Sequence, residues 1–206
     1  SWVSNQSSLI FLSFFILAFL ALLKYKENQT KKFFLLSSYL FFAISLLSKE
    51  TALGGIFIIL FIFLVYLKRQ WKLSLPFILI SLLYFYARYK ILGSLCYHAL
   101  RGSFLDNLLL APTIFAKYLG LAVWPFNLLL DYTNFLLPSG VSDPRVIIGI
   151  VSFVVLSGLF YFGIKKSLYS ISLGIIWFLA FLLPVSQIIP FQDIVGERFL
   201  YAPLVG

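Results

Sequence analysis

Apolar residues run along this chain in uninterrupted blocks, and the polar positions collect between the blocks instead of alternating with them. A membrane-spanning helix needs about 20 mostly apolar residues, and charged clusters set the boundaries of such runs. Six blocks qualify: Leu9 to Leu23, Phe33 to Leu47, Ala52 to Leu67, Leu73 to Ala87, Val146 to Ile164 and Tyr169 to Ile189, with the start of a seventh after Phe199. Several are short, which predicts helix tilt or local bilayer thinning. The expected fold class is therefore all-α: a polytopic membrane protein of about six transmembrane helices, plus one segment that does not fully cross.

Charge supplies the orientation. The clusters Lys24, Lys26, Lys31, Lys32, then Lys68, Arg69, Lys72, then Lys165, Lys166 separate alternate blocks, the signature of cytoplasmic loops. These loops hold nine of the 16 basic residues and a single acid, Glu27. The opposite side carries seven basic residues (Lys49, Arg88, Lys90, Arg101, Lys117, Arg145, Arg198) against six acids (Glu50, Asp106, Asp131, Asp143, Asp193, Glu197). The formal net charge of +9 is thus explained by topology and implies no nucleic-acid partner. Parity singles out Leu105 to Leu130: both flanks belong outside, and so few residues cannot cross twice. That segment is expected to be re-entrant or interfacial, with Pro112, Gly120 and Trp124-Pro125 interrupting a helix and Lys117 in mid-run. An outward-facing cavity beside it follows, because irregular backbone at membrane depth needs protein or water to cover it.

Composition closes off other classes. At 62% hydrophobic and 11% charged, with a mean hydropathy of +1.02, a water-soluble enzyme is excluded. With 24 Phe, 12 Tyr and 4 Trp the chain is not disordered either. There is no methionine, so the chain reads as an internal fragment, a single membrane domain over 1–206, and no basic n-region before Leu9 marks a signal peptide. The single cysteine, Cys96, leaves neither an internal disulfide nor a thiolate-rich metal site.

The outer side holds the candidate chemistry. Ser48-Lys49-Glu50-Thr51 joins two apolar blocks with almost no loop, fixing a cation and an anion at the rim of a helical hairpin. Lys49 can meet a phosphate; equally, Lys49 snorkels and Glu50 caps the next helix near its positive end. Gly196-Glu197-Arg198-Phe199-Leu200-Tyr201 lies among Pro184, Pro190 and Pro203. Arg198 offers a planar fork suited to phosphate, Glu197 can orient it or a sugar hydroxyl, and Tyr201 can donate a hydrogen bond. Against this stands an interfacial Glu-Arg pair capping a helix, with Tyr201 in the aromatic belt. Arg88 and Lys90 close the fourth block; Lys90 reads as a headgroup anchor. Asp131 delivers a carboxylate after the re-entrant segment, or forms a turn beside Asn134. His98 has no second ligand nearby and takes no role. No phosphate-binding glycine loop, zinc-protease helix or nucleophile elbow occurs, which removes nucleotide hydrolysis and hydrolase chemistry.

In order along the chain, Trp2-Val3-Ser4, Ser48-Lys49-Glu50, Arg88, Lys117-Tyr118-Leu119-Gly120 through Trp124-Pro125 to Asp131-Tyr132, Trp177, Leu183-Pro184-Val185-Ser186 and Glu197-Arg198-Phe199-Leu200-Tyr201 with Pro203 form a pattern. This pattern resembles the multispan GT-C glycosyltransferases, in particular the transmembrane and tetratricopeptide-repeat (TPR)-containing O-mannosyltransferases and their bacterial relatives. One departure is that Asn5-Gln6 and Ser8 stand where the family continues with Gly-Arg and then Asp, which fits a divergent bacterial member. The resemblance implies an enzyme that moves a sugar, mannose in the named relatives, from a polyprenyl-phosphate carrier to a protein or glycan acceptor on the periplasmic or lumenal face. It implies residence in a bacterial cytoplasmic membrane, or the endoplasmic-reticulum membrane of a eukaryote. Cations aimed at the phosphate leaving group lower the barrier, and an acid near the acceptor acts as base. Lys49, Arg88 and Arg198 are the implied phosphate ligands, with Glu50, Asp131, Glu197 and Tyr201 around the substrate. The family's catalytic carboxylate belongs to an outer loop upstream of Ser1, and its helical repeats lie beyond Gly206. No cofactor is identified beyond the lipid-linked donor, and metal dependence stays open. Two other functions remain: a transporter, which predicts mid-span charges and inverted repeats, and a lipid-binding membrane subunit without catalysis.

Overall fold

The computed structural model describes residues 2–93, 104–124, 138, 140–187 and 195–206. Every element is helical, and no strand occurs among the described residues. Backbone contacts divide the chain into two compact units, Ser1–Leu95 and Cys96–Gly206.

In the first unit, helix α1 (Trp2–Glu27) turns back into α2 (Lys32–Ser48). A 3-10 turn over Glu50–Gly54 runs into α3 (Gly55–Val65), and a kinked 3-10 stretch over Lys68–Ser74 leads to α4 (Leu75–Leu92). Pro76 sits in the first turn of α4, where its missing N–H is not needed, and Gly93 ends the helix at φ 70°, the left-handed conformation that glycine adopts without a Cβ clash. Two hydroxyls lock α1 to α2: Ser38 Oγ donates to the Ala18 carbonyl at 2.7 Å and Ser45 Oγ to the Phe11 carbonyl at 2.8 Å. The bonds are two turns apart on both helices, so they fix one antiparallel register. Phe15 and Phe42, both fully buried, meet edge-on in the same register with centroids 6.4 Å apart. Phe77 of α4 completes the core, packing edge-on against Tyr39 at 4.6 Å and Phe42 at 5.4 Å. Gly55 opens α3 against the Phe15 ring, leaving no room for a Cβ.

This packing sorts the charges to two ends. The α1–α2 turn and the Lys68–Ser74 stretch meet: Tyr25 Oη donates to Gln70 Oε1 at 2.8 Å, and Gln70 Nε2 donates to Gln29 Oε1 at 2.6 Å. All seven basic residues of the first two basic clusters lie at this end. Ser8, Lys49, Glu50 and Arg88 lie at the other, about 25 Å away along α1 at 1.5 Å per residue.

In the second unit, α5 (Phe104–Val123) packs on α6 (Pro144–Lys165), which packs on α7 (Tyr169–Leu182). Short 3-10 turns follow at Leu183–Val185, Glu197–Leu200 and Pro203–Val205. Here expectation needs correcting. Pro112 and Gly120 do not interrupt α5, which continues through both and ends at Val123, directly before Trp124-Pro125. Thr113 Oγ1 donates to the Leu110 carbonyl at 2.6 Å, a side-chain bond within the turn that the proline loosens. A single buried face, Leu110, Ile114, Tyr118 and Leu121, packs with Leu182, Val185, Val195, Phe199 and Leu200. Where the start of a seventh run is expected, the residues up to Gly206 form the 3-10 turns Glu197–Leu200 and Pro203–Val205.

Two stretches are long and apolar enough to cross a membrane: Gln6–Glu27 in α1 and Pro144–Lys165, the whole of α6. Helix α6 exposes apolar side chains on nearly every face, among them Ile147, Val151, Val154 and Leu159, which suits hydrocarbon better than water. The stretches Lys32–Ser48, Glu50–Val65, Leu108–Val123 and Tyr169–Val185 are apolar but shorter. Two of the expected spans are shortened by 3-10 geometry, which takes the first turn before α3 and the residues after Leu182.

Helices α5 and α6 approach closely at Gly149 of α6, where an added Cβ would lie 2.0 Å from the Pro112 carbonyl oxygen, a backbone atom that cannot rotate away. Gly149→Ala is therefore expected to destabilise the second unit by about 1–3 kcal/mol. Gly158→Ala, with open space around it, is expected to change little. Thermal melting of both variants in detergent checks this; equal midpoints would mean that α5 and α6 do not cross there.

Candidate functional site

Three of the candidate residues gather at one end of the first unit. Lys49 ends α2 by turning extended (φ −162°, ψ 137°), and the backbone then tightens into the Glu50–Gly54 turn. Both helical reading and site reading of Glu50 have a counterpart here: it sits in the first turn leading into α3, and its Oε2 lies 3.5 Å from Arg88 Nη1. The Arg88 side chain is 13% exposed and that of Glu50 27%, so the pair is largely withdrawn from solvent. Arg88 also donates to the Tyr84 hydroxyl at 3.0 Å, one turn back on α4. Lys49 Nζ donates to Ser8 Oγ of α1. The Thr51 hydroxyl is buried with no hydrogen-bond partner among the described residues.

Two cations and one carboxylate thus carry a net positive charge among three hydroxyls, Ser8, Thr51 and Tyr84. Away from bulk water such a charge acts more strongly on an anion than it would in solution. A guanidinium fork and an ammonium are each donors that suit phosphate oxygens. Sequence reasoning gave no role to Ser8, Thr51 or Tyr84. The spacing of Tyr84 to Arg88 was legible as neighbours on one helix face; Ser8 was not, because only the α1–α2 register brings it to Lys49.

The other candidates belong to the second unit. Glu197 and Arg198 lie in the 3-10 turn Glu197–Leu200, with the Arg198 guanidinium carbon 5.1 Å from the centroid of the Phe199 ring. Tyr201, just after this turn, is exposed. The turn is held from both sides. Tyr118 of α5 accepts from the Gly196 N–H at 3.1 Å, and Trp177 of α7 donates from Nε1 to the Ala202 carbonyl at 2.9 Å. Phe199 and Leu200 are buried in the core of this unit. The segment is thus a fixed platform that presents Tyr201 outward. Asp131, with His98 and Cys96, lies outside the described residues.

Asp143 has a structural role that its place among the outer acids did not reveal. It is buried and caps α6, accepting from the Arg145 N–H at 2.9 Å, from Nε at 3.0 Å and from Nη2 at 2.6 Å. Among the described residues no three His, Cys, Asp or Glu side chains gather as metal ligands.

The Arg88–Glu50 pair is testable by itself. In a double-mutant cycle of Arg88→Ala and Glu50→Gln, thermal stability is expected to show a coupling of about 1 kcal/mol, between the values for exposed and buried pairs. Additive effects would mean that the two side chains do not interact. Neither a family model, nor a curated protein, nor a solved structure matches the chain.

Proposed function

We propose that the chain is the membrane part of a GT-C-type glycosyltransferase, which moves a sugar from a polyprenyl-phosphate carrier to a protein or glycan acceptor on the non-cytosolic face. The observation that supports this is the Lys49–Glu50–Arg88 cluster, withdrawn from solvent at the end of its unit opposite the basic loops. In such a transfer the bond between the anomeric carbon and the phosphate oxygen breaks, and negative charge develops on the departing lipid phosphate. Fixed cations lower that barrier without having to reorganise. Arg88 and Lys49 supply them, Glu50 holds the Arg88 fork in position, and the Tyr84 and Ser8 hydroxyls orient the two cations. Arg198, Glu197 and Tyr201 fill the family's second polar block, and mannose is the sugar the resemblance names. In this reading α2, α3, α4 and α7 also cross the bilayer, the shorter ones with local thinning, and α5, continuous and buried along one face, lies at the interface. The polar cluster near the ends of the helices, with no charge buried at mid-span in the first unit, favours this over transport.

Two measurements test it. In the full-length protein reconstituted with polyprenyl-phosphate mannose, Arg88→Ala is expected to lower transfer about 100-fold or more, the usual effect of removing one fixed donor to a developing anion. Donor binding that persists without any turnover in the parent protein would instead identify a lipid-binding subunit. For orientation, Lys31→Cys and Ser48→Cys in a Cys96→Ser background are expected to react with a membrane-impermeant thiol reagent from opposite sides of sealed vesicles. Labelling from the same side would remove the outward cluster.

A further inference from the structure

The basic end of the first unit does more than record topology. Lys24, Lys26, Lys31 and Lys32 come from the α1–α2 turn, and Lys68, Arg69 and Lys72 from the stretch before α4. Separate loops of this charge would repel each other and splay. Gln70 joins them: it departs from helical geometry (φ −115°, ψ 24°), and its amide accepts from Tyr25 and donates to Gln29. Lys26 lies over the Tyr66 ring with Nζ 4.1 Å from the centroid, and Lys24 over Phe34 at 5.7 Å, so both stems run along aromatic surface. All seven cations are exposed, with one acid, Glu27, nearby. Trp71 and Phe33, exposed at 52% and 73%, adjoin Lys72 and Lys32 in the chain as large apolar side chains.

We infer that this joined platform binds the headgroups of anionic phospholipids. Positive charge complements the phosphodiester, and the exposed Trp71 and Phe33 suit the boundary between headgroups and acyl chains. A soluble anion would use the charge and leave both rings in water; a lipid uses both. The inference is independent of the glycosyltransferase proposal, since it concerns the opposite end of the unit.

The full chain, purified in a neutral detergent, is titrated with dioleoylphosphatidylglycerol or dioleoylphosphatidylcholine, and binding is followed by thermal shift. Tighter binding of the phosphatidylglycerol is expected. Each cation near an anionic headgroup contributes about fivefold, so Lys31→Gln/Arg69→Gln/Lys72→Gln is expected to weaken binding by a factor on the order of 100. Gln70→Ala keeps every cation and breaks only the join, and is expected to weaken binding several-fold; its melting curve in detergent alone shows whether the fold survives. Lys165→Gln/Lys166→Gln, which removes charge from the other unit, is the comparison and is expected to weaken binding clearly less than the triple variant. No preference between the two lipids, an equal shift with inorganic phosphate, or a triple variant that binds like the parent would each overturn the inference.

Discussion

Two hydroxyl-to-carbonyl bonds between α1 and α2 set the register on which the rest of the first unit depends. Ser38 and Ser45 spend their donors on the backbone of the facing helix, where apolar packing alone would allow the helices to slide. Were the hairpin to sit in an apolar medium, where lipid competes for side-chain contacts as well as a neighbouring helix does, hydrogen bonds and close packing would supply the selectivity. The same register, carried further along the hairpin, brings Ser8 to Lys49. Slipped by one residue, the two serines would rotate off the interface and Lys49 would lose that partner.

Charge placement follows the same logic on a larger scale. The first unit keeps its charged groups at its two ends and fills the length between them with Phe and Leu and with hydroxyls bonded to carbonyls. At one end the cations are many and open to solvent. At the other, Lys49 and Arg88 are half enclosed, with a carboxylate beside Arg88. An exposed cation suits a surface, whereas an enclosed one paired with an orienting acid suits a particular anion. The second unit solves a different problem. Its carboxylate Asp143 is spent on the first turn of α6, and its Glu197–Leu200 turn is pinned by Tyr118 and Trp177.

Much of this was legible in the chain. The basic clusters marked the ends of α1, α2 and α6 to within a few residues, since a run of lysines cannot continue into an apolar interior. Lys49, Glu50 and Arg88 were legible as candidates because charge next to long apolar blocks is rare. Their meeting was not, for it depends on how α4 packs beside the Glu50–Gly54 turn. The 3-10 turn itself was illegible because Glu-Thr-Ala-Leu-Gly carries no signal against an α-helix before Gly54. Pro112 misled for a definable reason: proline removes one backbone bond, and a helix packed closely along its length tolerates that loss. Trp124-Pro125 was read correctly as a helix end, since the residue before a proline is pushed out of the helical region.

The clasp at Gln70 is built from an amide, a second amide and a phenol, none of which relies on net charge. Coulomb attraction between lysines and a charged bilayer fades over about 10 Å at 0.1 M salt, but the clasp does not. Rising ionic strength would therefore screen the seven cations while leaving the two loops fastened to each other.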